Sequence, residues 1–342
     1  MTRNELISIF KGAINPDYTK FSLSEANEAV INGIVEFYGL QDASVRDMRA
    51  KQAEVFALIE ETVEELLPKA IEDVVGGFVE TKSFARDAEP IFKTEKVGKS
   101  RARMSIVEGA RGGIYRARRL DNKSFQVDVK VETVGAYVTL EEILLGKVSL
   151  AELMANITNG FVERIYVKSV QALRTAKTLA PEANVYTVQK DNAAANEAAL
   201  DKLVRIASAY GTPVIMGFRS AIAKINNGAG WSQTPNISSK DAEDIRSRGF
   251  VNMYKGVPVV ELPNYLVDES NKEFVFNEGD IFILPTEAKP IKVAMKGDLH
   301  IEEVKHPSGS YEQSAHRLMG VGLYLANNIC VYTDAEAESG RY

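Results

Sequence analysis

The sequence predicts an α+β protein built around one long helix, and three observations point to this class. The stretch from Ser149 to Thr178 places apolar residues at helical spacing over about eight turns. Residues 125–132 (FQVDVKVE) alternate apolar and polar side chains, as a strand with one buried face does. Past the long helix, short helical and strand patterns alternate before a strand-rich end. We therefore expect helices packed against β-sheets.

The long helix, here called the spine helix, is the element around which the rest of the chain is arranged. Ser149 and Glu152 form a capping box at its start, and Gly160 is its one internal glycine. At about 1.5 Å per residue it would run about 40 Å, so we expect it to lie across a sheet. Its apolar stripe consists of Leu150, Leu153, Met154, Ile157, Phe161, Ile165 and Ala172. Largely off that stripe are Glu163, Arg164, Lys168, Gln171, Arg174 and Lys177.

Residues 1–80 are helical in pattern. Ser22 and Glu25 form a second capping box, and Gly39 is placed to end that helix. Another helix follows, and Pro68 is expected to interrupt it. Its acidic side is most simply interpreted as a solvated face, and it carries Glu54, Glu60, Glu61, Glu64 and Glu65.

Residues 81–135 predict an extended β-hairpin followed by a strand. Alternating residues on either side of the EGARGG segment indicate two short strands with a loose tip at 109–113. The side of the next strand expected to face the core carries Phe125, Val127, Val129 and Val131. A second strand, from Ala136 to Leu140, leads into the spine helix.

The region after the spine helix predicts an α/β unit. A helix that opens at Asn192 or a neighbour is followed by a strand at 213–216 and by helices at 220–226 and 239–248. The strand patterns in the rest of the chain are MYKGVPVVEL, EFVFNEGDIFIL, KPIKVAMKG, LHIEEVKH and HRLMGVGLYLANNICVYT.

Composition narrows the function classes. A net charge of −6 argues against a nucleic-acid reader spread over the whole surface. No apolar run reaches the roughly 18 residues of a membrane-spanning helix, and the first residues lack a signal-peptide core. Cys330 is the only cysteine, so no disulfide can form within the chain and a reducing compartment is expected.

The sequence carries no recognisable catalytic or nucleotide-binding motif. Residues 98–100 (GKS) end like a phosphate-binding loop, but Lys93 stands where that motif needs its first glycine. Neither GxSxG nor GxGxxG occurs. We therefore predict that the protein is not an enzyme and that it binds no cofactor.

Four further residues could suggest a ligand site. His300, His306 and His316 lack the spacing of a metal motif, and structural or solvent-exposed histidines are the better interpretation. Trp231 lies in a segment rich in Gly, Ser and Asn, where we expect it to anchor a long loop rather than bind a ligand. No metal site is predicted.

The order of these parts resembles the major capsid protein of tailed bacteriophages, which has the Hong Kong-97 fold. An extended loop feeds the strand YVTLEEI, and the capped spine helix comes next. The GFVNMYKGVPVVELP hairpin followed by GDIFIL is similar as well, and so are the closing strands HRLMGVGLYLANNICVYT. The resemblance covers about residue 70 to the end, and it rests on architecture rather than on one signature motif.

The resemblance implies a domain layout in which the extended loop lies across a neighbouring subunit and the axial domain surrounds the capsomer axes. The expected parts are an N-terminal helical arm (1–80), an extended β-hairpin loop or E-loop (81–135), a peripheral domain with the spine helix (136–180 and 285–324) and an α/β axial domain (181–284 and 325–342).

The resemblance also implies a function. The chain would self-assemble, as hexamers and pentamers, into an icosahedral shell around double-stranded DNA, without sequence-specific contact to that DNA. Scaffolding, portal and decoration proteins are the further partners to expect, and a membrane is not. Its location would be the virion, after assembly in the host cytoplasm.

The first 70 residues depart from the family prototype. Some members carry a helical segment there that a protease removes, whereas here we expect it to be retained and ordered. Some members also form a lysine–asparagine crosslink, but no catalytic carboxylate can be assigned, so crosslinking is not expected here. The residues such a bond would need are Lys93, Lys96, Lys99 or Lys123 and Asn327 or Asn328.

Two other functions fit the same patterns. An encapsulin-type nanocompartment shares the fold but encloses enzyme cargo, and the longer chain with its N-terminal arm favours the phage shell. An enzyme with an unrecognised site in the α/β unit is the second alternative, and a deep pocket lined by carboxylates would favour it.

Two oppositely charged segments suggest a contact between subunits. From Lys93 to Arg119 the net charge is +7, and from Glu54 to Glu80 it is −7. Complementary patches set register and encounter rate, so we expect the basic loop to meet the acidic helix of a neighbouring subunit. The residues assigned to this contact are Arg101, Arg103, Arg111, Arg116, Arg118 and Arg119 on the loop, and Glu60, Glu61, Glu64 and Glu65 on the helix.

Overall fold

Six helices and twelve strands are assigned in the described part of a computed structural model. The residues described are 2–14, 23–38, 45–94, 123–137, 150–188, 196–226, 243, 245, 247–267, 270, 272–286, 289–305, 311–324 and 328–334. The helices are α1 (Arg3–Ile14), α2 (Leu23–Tyr38), α3 (Val45–Val75), the spine helix α4 (Leu150–Leu179), α5 (Glu197–Ser208) and α6 (Arg219–Asn226). A short 3-10 turn spans Glu182–Asn184.

Most of the strands form two large sheets. Their bounds are β1 (Val79–Phe84), β2 (Ile91–Thr94), β3 (Lys123–Gln126), β4 (Lys130–Tyr137), β5 (Val185–Val188), β6 (Pro213–Gly217), β7 (Met253–Tyr254), β8 (Val257–Glu261), β9 (Asp280–Pro285), β10 (Ile291–Lys305), β11 (Tyr311–Leu323) and β12 (Cys330–Asp334). The first sheet has the order β1-β10-β11-β4, and the second has the order β5-β12-β9-β6-β8-β7. A separate two-stranded ribbon pairs β2 with β3.

The predicted spine helix is confirmed. Leu153, Met154, Ile157, Phe161 and Ile165 of the predicted stripe are all buried. Burial extends beyond that stripe because α3, the N-terminal helices and both large sheets contribute to the same apolar core. The additional buried residues are Tyr166, Val170, Leu173 and Ala176.

The N-terminal helices are part of that core. Leu6 and Phe10 of α1 are fully buried, and so is Val30 of α2. Helix α2 ends at Tyr38, directly before Gly39, as predicted. The predicted helical character of the N-terminal region is therefore confirmed, and α1 and α2 pack on the body of the subunit.

The prediction that Pro68 interrupts the third helix is wrong. Helix α3 continues through Pro68 to Val75. A proline inside a helix costs about 3 kcal/mol, but Leu67, Ile71 and Val75 around it are all buried. Burial of each such side chain contributes about 1.5–3 kcal/mol, which outweighs the lost hydrogen bond.

The predicted uniform strand at 125–132 is also wrong in part. The strand breaks at 127–129, so β3 belongs to the ribbon and β4 to the first sheet. Val127 is buried as expected, but Val131 is 62% exposed, and Glu132 lies on the face toward the spine helix. Side chains alternate between the two faces only within a continuous strand. Because residues 127–129 are not in a strand, the alternation of β3 does not predict which side chains of β4 face inward.

The second sheet is covered on both faces. In β9, Ile281 and Ile283 pack into one apolar cluster, whereas Phe282 and Leu284 pack into the other. This explains why the strand reads as a continuous apolar run. Cys330 lies in the neighbouring strand β12, and burial raises the pKa of its thiol to about 12.

Most of the predicted α/β unit is confirmed. Helix α5 starts after Asn196, whose side chain accepts a hydrogen bond from the Ala199 amide at 3.2 Å. The strand at 213–216 and the helix at 220–226 are present, as β6 and α6. The helix expected at 239–248 is described at four positions only, and the segment around Trp231 lies outside the described residues.

Strand β10 joins two strands that the sequence predicts separately. Its pairing with β11 jumps from Lys296–Leu318 to His300–His316, so residues 297–299 bulge opposite Arg317 alone. Gly297 has φ +68°, a backbone conformation that favours glycine. The bulge therefore bends one long strand where the sequence suggests an end.

Gly160 brings the spine helix close to the first sheet. A Cβ at this position would lie 2.9 Å from Cγ1 of Val134 on β4. Gly160→Ala should gain about 1 kcal/mol of helix propensity, but overpacking against the stiff valine costs about 1–3 kcal/mol. We expect net destabilisation in urea unfolding of the unassembled subunit.

Two further variants control for that prediction. Gly12 lies in α1 with no atom within 4 Å of an added Cβ, so Gly12→Ala should stabilise the subunit. Adding Val134→Ala to Gly160→Ala should restore the lost stability. A Gly160→Ala protein more stable than the parent would contradict the contact.

Candidate assembly surface

The ribbon of β2 and β3 is the base of the predicted extended loop. Phe92 pairs with Phe125, and Thr94 pairs with Lys123, at the end from which residues 95–122 leave and return. The six arginines assigned to the subunit contact lie in this segment, outside the described residues: Arg101, Arg103, Arg111, Arg116, Arg118 and Arg119. Their proximity to the acidic helix of a neighbour stays a prediction.

Two of the four assigned acids pair with helix α1 of the same chain. Glu61 lies 2.5 Å from the Arg3 guanidinium, and Glu65 forms an ion pair with Lys11. Both pairs are solvent-exposed, and such pairs contribute only about 0–1 kcal/mol. These carboxylates stay accessible to a second partner.

The other two acids, Glu60 and Glu64, support the edge of β10 where its neighbour β1 has ended. Strand β1 pairs with β10 only as far as Lys296. Beyond that point, Glu60 accepts a hydrogen bond from the Ile301 amide at 2.6 Å, and the Leu299 amide donates to Glu64. These carboxylates take the place of the carbonyls that a further strand would offer.

Glu64 also pairs with Arg317, which is almost completely buried on β11. Their closest atoms lie 3.3 Å apart. Burial raises the pKa of Glu64 and lowers the pKa of Arg317, and their mutual attraction opposes both shifts. The Arg317 Nε and Nη1 atoms have no hydrogen-bond partner among the described residues. Because breaking a buried pair is costly, we assign Glu64 a role inside the subunit.

A cavity of about 540 Å³ lies beside the bulge and is bordered by Arg86, Lys296, His300, His316 and Arg317. His300 and His316 face each other across β10 and β11. His316 Nδ1 lies 2.8 Å from the Thr133 hydroxyl, so this histidine has a structural partner. Within the described ranges, no group of three or more potential metal ligands occurs, and His306 lies outside them.

Charged residues of the spine helix connect it to both sheets. Arg174 Nε lies 2.8 Å from the carboxylate of Asp280, which is fully buried and also accepts a hydrogen bond from Thr333 at 2.8 Å. Glu132 on β4 pairs with Arg164 at 2.9 Å and with Lys168. Burial alone would raise the pKa of Glu132, but these two cations hold it below its usual value.

These internal roles were not predicted, although the sequence contains two signals for them. Arg317 stands between Ala315 and Met319 on the inward face of a strand, where a charge requires a partner. Asp280 is the first residue of β9, directly before an apolar run that is buried on both faces. The acidic side of α3 gave no such signal, because its partners are distant in sequence.

The folded chain has the architecture of capsid subunits. The mature capsid protein of bacteriophage PhiM1 matches with a TM-score of 0.50 at 12% identity, over 76% of this chain and 86% of that one. The chain therefore has the Hong Kong-97-like fold, which confirms the predicted fold. A family model described as "SPbeta prophage-derived putative capsid protein YonB" matches residues 5–329, and the chain belongs to that family. The sequence-based identification of a phage major capsid protein, with a structural role in the virion, is confirmed.

Other solved structures are similar over most of the chain. A virus-like particle from Pyrococcus furiosus matches at 12% identity with a TM-score of 0.45, over 80% of this chain and 98% of that one. The procapsid of satellite phage P4 matches at 13% identity with a TM-score of 0.48, over 79% and 90%. No curated protein matches the chain in sequence. Among the described residues, no helix is long and apolar enough to cross a membrane.

Proposed function

We propose that copies of this chain assemble, as hexamers and pentamers, into an icosahedral head that encloses the double-stranded DNA of a tailed phage. Family membership over residues 5–329 is the observation that carries the proposal. The described fold supports it, because the ribbon base holds a segment that is basic and too long for a tight turn. A hairpin of this kind makes no core of its own and needs a neighbour to cover it.

The domain layout follows the same proposal. The arm is 1–80, the extended loop 81–135, the peripheral domain 136–180 with 285–324, and the axial domain 181–284 with 325–342. Portal, scaffolding and decoration proteins are the further partners, and the DNA is packaged without sequence-specific contact. Assembly takes place in the host cytoplasm. The role is structural, with no catalytic step.

Removing the loop tests the function. A variant lacking residues 100–120 should fold, because the ribbon base and both sheets lie outside the deletion. It should form no closed shells, because the segment that reaches the neighbour is gone. Negative-stain microscopy counts particles, and circular dichroism verifies the fold. Normal shells from this variant would contradict the role of the loop, and an absence of shells from the parent protein would contradict the function.

The charge of the loop supports a contact with the neighbour's acidic helix. Reversing Arg116, Arg118 and Arg119 to glutamate should block assembly, whereas neutralising them to glutamine should weaken it. The effect should be collective and sensitive to salt, since the screening length falls to about 3 Å at 1 M salt. Light scattering across a salt series measures it. Shells that form normally but package less DNA would instead place the loop toward the genome.

The controls for this experiment follow from the pairs within the chain. Lys202, Arg205 and Lys272 are exposed cations outside both the loop and α3, so their reversal changes net charge equally and should leave assembly intact. Reversing Glu60 or Glu64 is unsuitable as a rescue, because it removes the acceptor of the Ile301 amide or the partner of Arg317. Glu61 and Glu65 remain the usable acidic positions.

A further inference from the structure

The ribbon of β2 and β3 packs on the face of the first sheet that points away from α3 and the spine helix. Phe92 is fully buried there, with Val127 and Ala294 as its buried neighbours. Phe84 meets the Phe92 ring edge-on at a centroid distance of 5.5 Å, and the Lys82 ammonium lies 5.2 Å from the centre of that ring. A two-stranded ribbon is marginal by itself in water, so its orientation depends on this contact.

Two glycines of β11 make the close contact possible. A Cβ at Gly320 would lie 2.1 Å from the backbone oxygen of Asp128, which is far inside contact distance. A Cβ at Gly322 would lie 2.7 Å from Cε1 of the Phe125 ring. Ala294, on the adjacent strand β10, is the third small residue under the ribbon. We call Gly320, Gly322 and Ala294 the seat.

The two obstacles differ in how easily they can move. At Gly320 the neighbour is backbone, and the amide of Val127 next to it donates to the Pro90 carbonyl at 3.1 Å, which ties both ribbon strands together. An added methyl must therefore lift the whole ribbon. At Gly322 the neighbour is a side chain, and a smaller residue at position 125 would make room. The φ angle of neither glycine lies in the left-handed region, so close approach is the reason for glycine.

We propose that the seat sets the direction in which residues 95–122 leave the subunit, so that Gly320 and Gly322 are positioning residues for shell assembly. This proposal rests on the proposed function. An extended hairpin with about 14 residues on each side would reach about 45 Å from the ribbon. A tilt of about 10° at its base would then move the tip by about 8 Å, which is more than a side-chain contact tolerates. The small residues under the ribbon would thus determine where the tip of the loop meets the neighbouring subunit.

The test compares alanine substitutions at three glycines of the same sheet. Gly320→Ala and Gly322→Ala should yield soluble subunits with at least tenfold fewer closed shells under the electron microscope. Gly135 lies on the neighbouring strand β4, with nothing within 4 Å of an added Cβ, so Gly135→Ala should assemble like the parent. The double variant Gly322→Ala with Phe125→Leu should recover closed shells, because the smaller side chain frees the space.

A distance measurement separates misdirection from simple loss of stability. Spin labels at Lys93→Cys on the ribbon and Lys130→Cys on β4, both exposed positions, should give a shifted or broadened distance distribution in the Gly320→Ala and Gly322→Ala subunits only. Normal shells from either alanine variant would overturn the proposal, and so would an unmoved ribbon in a variant that has lost shells. If Gly320→Ala yields no soluble subunit, the comparison of Gly322→Ala with the double variant Gly322→Ala and Phe125→Leu is decisive. If the double variant then forms no closed shells, the proposal is overturned. Absence of shells from the parent and from Gly135→Ala would count against the proposed function instead.

Discussion

Phe161→Asp is expected to abolish the soluble subunit. Phe161 is fully buried at the centre of the spine helix, in the core shared by both sheets and the N-terminal helices. Losing the phenyl ring costs about 3–5 kcal/mol, and a buried carboxyl group without a partner adds about 2–7 kcal/mol even when it is protonated. Together these costs are comparable with the roughly 5–15 kcal/mol by which a domain is stable. The soluble fraction after expression measures the outcome.

Two milder variants define the size of that effect. Phe161→Ala should lower the free energy of unfolding by about 3–5 kcal/mol, because it leaves a cavity in a packed core. Asn159→Asp adds the same charge at an exposed position two residues earlier and should change stability little. Wild-type stability of Phe161→Asp would mean that the spine helix is not the centre of the fold.

Arg174→Leu is the substitution expected to have the next largest effect. It would leave the fully buried Asp280 carboxylate with the Thr333 hydroxyl at 2.8 Å and the Lys177 ammonium at 4.0 Å. Breaking a buried ion pair by removing one partner typically costs about 3–5 kcal/mol. Since Lys177 can offset only part of this, we expect a loss of about 3 kcal/mol in chemical unfolding.

A double substitution tests whether the loss comes from the unpaired charge. Arg174→Leu with Asp280→Asn removes both charges and keeps the acceptor for Thr333, so it should regain more than half of the lost stability. Arg205→Leu, at an exposed arginine of α5, serves as the matched control and should be nearly neutral. Equal destabilisation of the single and the double variant would assign the effect to lost packing by the arginine side chain.

The elements governed by local signals could be predicted from the sequence. The spine helix, the end of α2 before Gly39 and the strand β6 follow from spacing, capping and apolar runs within a few residues. The order of these elements was sufficient to identify the capsid class, because that fold is recognised by its sequence of parts. Family membership confirms the same class.

The errors arose where distant contacts outweighed local preference. Pro68 stays inside a helix because the core holds its neighbours, and Val131 faces outward because the strand breaks just before it. The acidic side of α3 looked solvated, yet Glu60 and Glu64 bind the edge of β10 more than 230 residues later. No pattern within α3 distinguishes these carboxylates from Glu61 and Glu65, whose partners lie in α1.

The strand order of both sheets also fixes when the chain can fold during synthesis. Strands β10 and β11 occupy the middle of the first sheet, and β12 joins β5 to β9 in the second. Strand β1 therefore cannot pair until β10 has been synthesised, because Val79 pairs with Ile291. In the same way, β5 cannot pair until β12 has been synthesised, because Val185 pairs with Val331. At roughly 5–20 residues per second, ribosomes need about 20–70 s to reach those last strands. A nascent chain that ends before β10 therefore lacks the two middle strands of the first sheet, and one that ends before β12 lacks the strand that joins β5 to the rest of the second sheet.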